Sequence, residues 1–263
     1  MNKIIIAVIA FILTGVFAQA QNVPRLTDAV SIAERSRNRI QAETTSTRYR
    51  MIITARNGAV TERLMDQYSK KDPGGNNRSV IVFGEPASIR GTRFLTIENQ
   101  GRANDQWIFL PSLGMVRRIA AAEGSGSFLG TDFSYDDISS AERRTDLDNH
   151  RLLREERFRE RDCYVIESVP VDTGYQYSRM LQWIDRENYV PHKVELYDRR
   201  GTHVKTLEIL ELREVQGRLA PTVTRMTTHA AGTSTSLNVQ NLRYDDNIPE
   251  SVFTTNFLET GRP

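Results

Sequence analysis

Apolar and polar positions alternate with a period of two along most of this chain, but not before residue 45. From Thr27 to about Gln41 the spacing is helical instead, with Val30, Ala33, Arg37 and Ile40 on one stripe and charge on the other faces. This predicts one leading amphipathic helix. Over 45–56, Tyr49, Met51, Ile53 and Ala55 alternate with Arg48, Arg50, Ile52 and Thr54. Asn57-Gly58 follows, a pair that accepts positive φ at both positions and predicts a two-residue hairpin turn.

Further strands are predicted at 60–68, 79–83, 92–99 and 105–111, then at 151–158, 163–171 and 178–185. Two more surround a turn from Asp198 to Gly201, and the set closes with 220–229 and 235–244. The pattern predicts about eleven strands in antiparallel succession, with no α/β alternation. A second helix is expected near 134–142, with Ser134 as its N-cap and Asp136 and Asp137 in the first turn, where the helix dipole favours acids. Pro249 starts a terminal helical turn anchored by Val252, Phe253 and Phe257.

Several strands are apolar on both faces, as with Trp107 and Phe109 against Ile108 and Leu110. A sheet wetted on one side shows cleaner alternation. The sheet is therefore expected to be covered on both faces or curled around an interior, with helices over its concave side. The fold class is mainly β (α+β).

The first twenty residues read as an export signal. Lys3 gives a positive start, Ile4 to Phe17 an apolar core, and Ala18-Gln19-Ala20 a small-x-small cleavage site ahead of Gln21. The apolar run falls short of the roughly 20 residues a membrane-spanning helix needs. A periplasmic chain with residues 21–263 in a single domain is expected. Net charge is only +2, which argues against a general affinity for nucleic acid. Thirty of the thirty-five basic residues are Arg, most of them interleaved with acids. Cys163 is the only cysteine, so no internal disulfide can form.

Catalytic constellations are hard to find. His150, His192, His203 and His229 are dispersed without ligand spacing, so neither a metal nor a cofactor is expected. The loop 124–130, "GSGSFLG", has neither the spacing of a nucleophile elbow nor the Gly-Lys-Ser/Thr of a phosphate loop. A hydrolase using Ser127 with Asp132 or Asp136 is the weakest of the readings. The chain is expected not to be an enzyme.

Three stretches together carry a resemblance. They are "IRGTRFLTIEN…DQWIFLPSLGMVRRI…GSFLGTDFSYDDI" over 89–138, "MLQWIDRENYVPHKVELYDRRGTHVKTLEI" over 180–209, and "NIPESVFTTNFL" over 247–258. They resemble the outer membrane lipoprotein-sorting protein-like family, the LolA/LolB-like periplasmic carriers. The resemblance implies one strongly curved antiparallel sheet, an unclosed barrel, with helices over a concave apolar face that holds acyl chains. It also implies a soluble carrier moving a lipid or lipoprotein between inner and outer membrane, in company with an exporter of the resistance-nodulation-division (RND/MMPL) type. Having no cysteine near the cleavage site, the chain resembles the soluble carrier rather than the anchored receptor. The alternative is a periplasmic adaptor that docks on such a transporter without lipid cargo.

For the carrier, the candidate lipid-contacting residues are Met51, Ile53, Trp107, Phe109, Phe128, Tyr135 and Trp183. The candidate rim or docking residues are Arg117, Arg118, Asp132 and Asp136. Sheltering matters energetically, because each exposed methylene costs about 0.8 kcal/mol in water. Residues 120–130 are expected to form a mobile crossing at the edge of the cavity, with Phe128 packed inward or serving as a gate.

Overall fold

A computed structural model describes residues 28–139 and 143–263. The expected export signal and residues 140–142 of the second predicted helix lie outside them. The leading helix α1 spans Ala29–Arg37. It starts where the Asp28 carboxylate accepts the Val30 and Ser31 amides, a conventional N-cap. Its buried stripe is Ala29, Ile32, Ala33 and Ser36, whereas Val30 of the predicted stripe is exposed.

Thirteen strands follow, rather than about eleven. They are β1 (Thr44–Thr54), β2 (Val60–Lys71), β3 (Asn77–Glu85), β4 (Arg93–Ile97), β5 (Asp105–Leu110) and β6 (Met115–Arg118). After a long crossing come β7 (Asp148–Phe158), β8 (Arg161–Pro170), β9 (Arg179–Asp185), β10 (Pro191–Tyr197), β11 (His203–Val215), β12 (Arg218–Thr228) and β13 (Thr233–Tyr244). Helix α2 (Tyr135–Ser139) sits in the crossing. A 3₁₀ turn at Glu250–Phe253 and helix α3 (Thr255–Thr260) end the chain.

All strands belong to one antiparallel sheet in the order β6-β5-β4-β3-β2-β1-β13-β12-β11-β10-β9-β8-β7. It is two meanders joined where β1 pairs with β13, with Met51 opposite Leu237. β6 and β7 are its free edges, so the barrel does not close. The hairpin after β1 has three loop residues, not two. The Gly58 amide donates to the Ala55 carbonyl (2.9 Å) and the Ala55 amide to the Ala59 carbonyl (2.8 Å). Gly58, at φ +83°, takes the left-handed position, while Asn57 keeps negative φ. A three-residue loop of this kind needs the left-handed conformation once.

Two adjacent residues reveal the curvature. The Asp136 carboxylate accepts from Gln106 on β5, and the Asp137 carboxylate accepts from Lys205 on β11. These strands lie seven places apart in the sheet, roughly 33 Å if it were flat. Neighbouring side chains cannot span that distance, so the sheet curls around the crossing segment.

The inner face carries Met51, Met65, Ile81, Phe83, Phe94, Ile108, Met180, Leu196 and Met226. At one end of that face α1 packs on Tyr164, Ile166 and Ile184. The outer face is covered too. On the first meander, Val80, Leu95, Trp107 and Phe109 lie beneath Ile248, Val252, Phe253, Phe257 and Leu258 of the C-terminal cap. Arg93 fastens that cap, donating to the Leu258 carbonyl (2.5 Å). Cys163 is packed in an outer-face cluster with Val165, Leu181 and Trp183, and burial pushes its thiol up to about 11.

Candidate functional site: the covered inner face

The segment from Ile119 to Ser139 is neither a loose edge nor a simple helix. Phe128 and Phe133 pair across a miniature hairpin (Phe128 N–H to Phe133 O, 2.8 Å), and Ser127 bridges to Ser134. Its tip is Leu129-Gly130, at φ +52° and +76°, closed by the Thr131 amide on the Phe128 carbonyl (3.1 Å). Positive φ at both central positions is the signature of a type I′ turn. A leucine held there costs about 1 kcal/mol.

The turn drives Phe128 into the sheet, where it is fully buried. Its ring meets Phe94 edge-on at 5.1 Å, Tyr135 at 5.5 Å and Phe83 at 5.9 Å. Phe133, Leu129 and Ile138 join the same cluster. The inner face is thus filled by the protein's own aromatic plug.

Three acids hold the plug. The buried Asp132 accepts from the hydroxyls of Thr233 and Thr235, and its amide donates to Thr235 Oγ1 (3.0 Å). Asp136 accepts from Gln106 (3.1 Å). Burial raises its carboxyl above the usual range, and the Gln106 hydrogen bond opposes that shift. Asp137 exchanges hydrogen bonds with Ser134 through both backbone amides, completing a capping box. It also accepts from Tyr177 (2.9 Å), Gln176 (3.2 Å) and Lys205 (2.9 Å). Burial, with Asp137 close by, pushes the Tyr177 hydroxyl far above the ordinary tyrosine value. Beyond α2, Arg143 grips Asp148 through Nε and Nη2 and lies 4.0 Å over the Tyr175 ring.

The structure therefore divides the sequence candidates. Met51, Ile53, Phe128 and Tyr135 meet on the inner face. Trp107, Phe109 and Trp183 lie on the outer face, so the seven do not form one wall. Trp183 packs there beneath Lys193, 3.4 Å from its ring centre, and donates to Glu156. Asp132, buried, and Asp136, half-buried, are latches beneath the crossing rather than rim groups. Arg117 and Arg118 are exposed and paired with Glu123 and Asp105. Ser127 spends its hydroxyl on the Thr131 carbonyl (2.7 Å) within its own turn. Gln176, Tyr177, Lys205, Thr233 and Thr235 were not anticipated. Only the Ser134-x-x-Asp137 spacing signalled any of this network.

Among the described residues, no cluster of three or more His, Cys, Asp or Glu could hold a metal. Nor is any helix among them long and apolar enough to cross a membrane.

A family model described as an uncharacterized protein matches residues 75–260. A crystal structure of an outer membrane lipoprotein-sorting protein domain from Vibrio parahaemolyticus is similar, with TM-score 0.83 and 31% identity. It covers 88% of this chain and 98% of that one. A DUF1329 family protein from Desulfovibrio piger gives TM-score 0.84 and 28% identity, covering 88% and 97%. A LolA superfamily protein from Nitrosomonas europaea, 24% identical at TM-score 0.70 over 89% and 100% of the two chains, shares the fold. A comparison with curated protein sequences gives no match. The chain belongs to the LolA-like family of outer membrane lipoprotein-sorting proteins.

Proposed function

We propose that this protein is a non-enzymatic periplasmic carrier that shelters an acyl chain of a lipid or lipoprotein against the inner face of its sheet. The carrying observation is the plug. Phe128, Phe133 and Tyr135 occupy a continuous apolar face, yet their segment is fastened by a few polar latches and strained at Leu129. An acyl chain has the chemistry to replace those rings on Met51, Ile53, Phe83, Phe94 and Ile108. The similarity to a lipoprotein-sorting protein domain supports the same reading. Transfer between inner and outer membrane, with export directed by residues 1–20 and cleavage before Gln21, completes the proposal.

Gentle purification followed by lipid extraction and mass spectrometry tests it. Co-purifying or exchangeable acyl lipid is expected. Protein that carries none, and takes none up from donor vesicles, contradicts the reading.

Docking on an RND/MMPL-type exporter is a second element of the proposal, favoured by the β5–β6 turn. Leu113 and Met115 are exposed there (61% and 55%), beside Arg117 and Arg118. Reversing both arginine charges is expected to weaken a crosslink to the transporter while lipid uptake persists. An unchanged crosslink removes this edge as the docking site.

A further inference from the structure

On β2 the residues facing inward are Thr61, Arg63, Met65 and Gln67. Arg63 stands opposite Met51, and Met65 opposite Tyr49. Arg63 breaks the pattern of an apolar face. On the outer face of the same two strands, Arg48 pairs with Asp66 and Arg50 with Glu62. Arg63 has no such partner: among the described residues its guanidinium makes no ion pair or hydrogen bond, and its Nη1 is wholly buried. Burial alone lowers its pKa, with no acid nearby to offset the effect.

Arg63 is half-buried, but a donor nitrogen of a charged group that is stripped of water and left unpaired is destabilising unless a partner arrives. The planar guanidinium fork matches the two oxygens of a carboxylate or phosphate. Its place in the fold favours such a ligand. Arg63 lies three register steps from the last pair before the hairpin loop, Val60 with Thr54. It is therefore near the rim, and Met51, Met65 and Phe83 continue the apolar surface inward from it.

We propose that Arg63 binds the anionic headgroup, phosphate or carboxylate, of an amphiphile whose acyl chain lies along the inner face. This rests on the carrier reading and adds the class of cargo: an anionic amphiphile rather than a neutral one.

The test uses the full chain and the uncharged fluorophore N-phenyl-1-naphthylamine, displaced by hexadecyl phosphate, palmitate or hexadecanol. Wild type is expected to bind the two anions roughly tenfold or more tighter than hexadecanol, the scale of one charge-assisted contact. Arg63→Gln should bring all three within roughly twofold while leaving hexadecanol affinity unchanged, and Arg63→Lys should retain part of the preference. Ligand-free Arg63→Gln should melt no lower than wild type, because it removes a half-buried, unpaired charge; a purely structural arginine would lower the melting temperature. Equal binding of the three ligands by wild type, or a preference that survives in Arg63→Gln, overturns the headgroup assignment and leaves the carrier reading standing. No displacement by any of the three overturns both. Inorganic phosphate that competes as well as palmitate would place a free anion on Arg63 and overturn the amphiphile assignment.

Discussion

The same first meander is covered on both sides, by two segments whose polar anchors lie in different places, at the exposed edge of one and beneath the other. Outside, the C-terminal cap lies on Val80, Leu95 and Trp107 through Val252, Phe253, Phe257 and Leu258, an apolar contact edged by Lys70 and Arg78 on the exposed Glu250 and by Arg93 on the Leu258 carbonyl. Inside, the crossing lays Phe128 on Phe83 and Phe94, with Phe133 in the same cluster, but Asp132, Asp136 and Asp137 anchor it, and a leucine in the left-handed region strains it. Apolar burial is non-directional and has no switch. Buried carboxylates with named partners fail one bond at a time, and a partly unmade network is unstable. On the proposed carrier reading, the cap is permanent structure and the crossing is the cover that lifts.

Breaking the cap should have the largest effect. Phe257→Ala removes a buried ring at a cost of about 3 kcal/mol, lowering the melting temperature by roughly 6–12 °C. Thermal unfolding checks this. The loss is expected to be global, with hydrogen exchange of residues 127–139 rising no more than elsewhere.

Breaking the latch should act locally. Asp137→Ala strips partners from Lys205, Tyr177, Gln176 and the Ser134 amide, and should cost the closed crossing about 2 kcal/mol. Exchange of the 127–139 amides is expected to accelerate while the β1–β5 amides stay protected. Uniform acceleration would merge the crossing with the core.

A smaller perturbation is Gly124→Ala. A Cβ there would lie 2.4 Å from the Asp136 carboxylate oxygens, so that side chain must move, at about 1–2 kcal/mol. Its Gln106 contact should fail, again seen as local exchange.

The smallest expected effect is pH dependence at Asp136. Its folded pKa is raised by burial, with Gln106 and Arg143 opposing and Asp137 and Asp172 reinforcing the shift. A raised value means the group contributes stability below its unfolded pKa, near 4. That contribution is lost as pH rises through the folded value. Asp136→Asn should therefore gain on wild type between pH 4 and pH 7, read as a difference in melting temperature that grows with pH. A flat difference would remove Asp136 from the latch.

The strand succession was legible because turns such as Asp198–Gly201 punctuate alternating runs, and Ser134 and Pro249 mark helical starts. The faces were not. Trp107 and Ile108 read alike because both sides of β5 are covered, one by the cap and one by the crossing. Local sequence cannot say which apolar side meets which cover. The α1 stripe was misplaced for a related reason: its large buried residue is Ile32, which the chosen stripe of Val30 and Ala33 passes by. The turn from Pro111 to Gly114 marks the start of the next strand at Arg117-Arg118, and β6 (Met115–Arg118) is that strand, though four residues are too few to show a period of two. The latch partners Thr235, Lys205 and Tyr177 come from strands and loops 40 to 103 residues from their acids, a distance no local pattern encodes.

The central claim is that the Phe128 segment lifts from the inner face when an acyl chain replaces it. Hydrogen exchange resolved by mass spectrometry, with and without bound hexadecyl phosphate, tests it most directly. The account predicts that ligand lowers protection of residues 127–135 while leaving β1 to β5 as protected as before. Bound ligand with the 127–135 amides equally or better protected would contradict it.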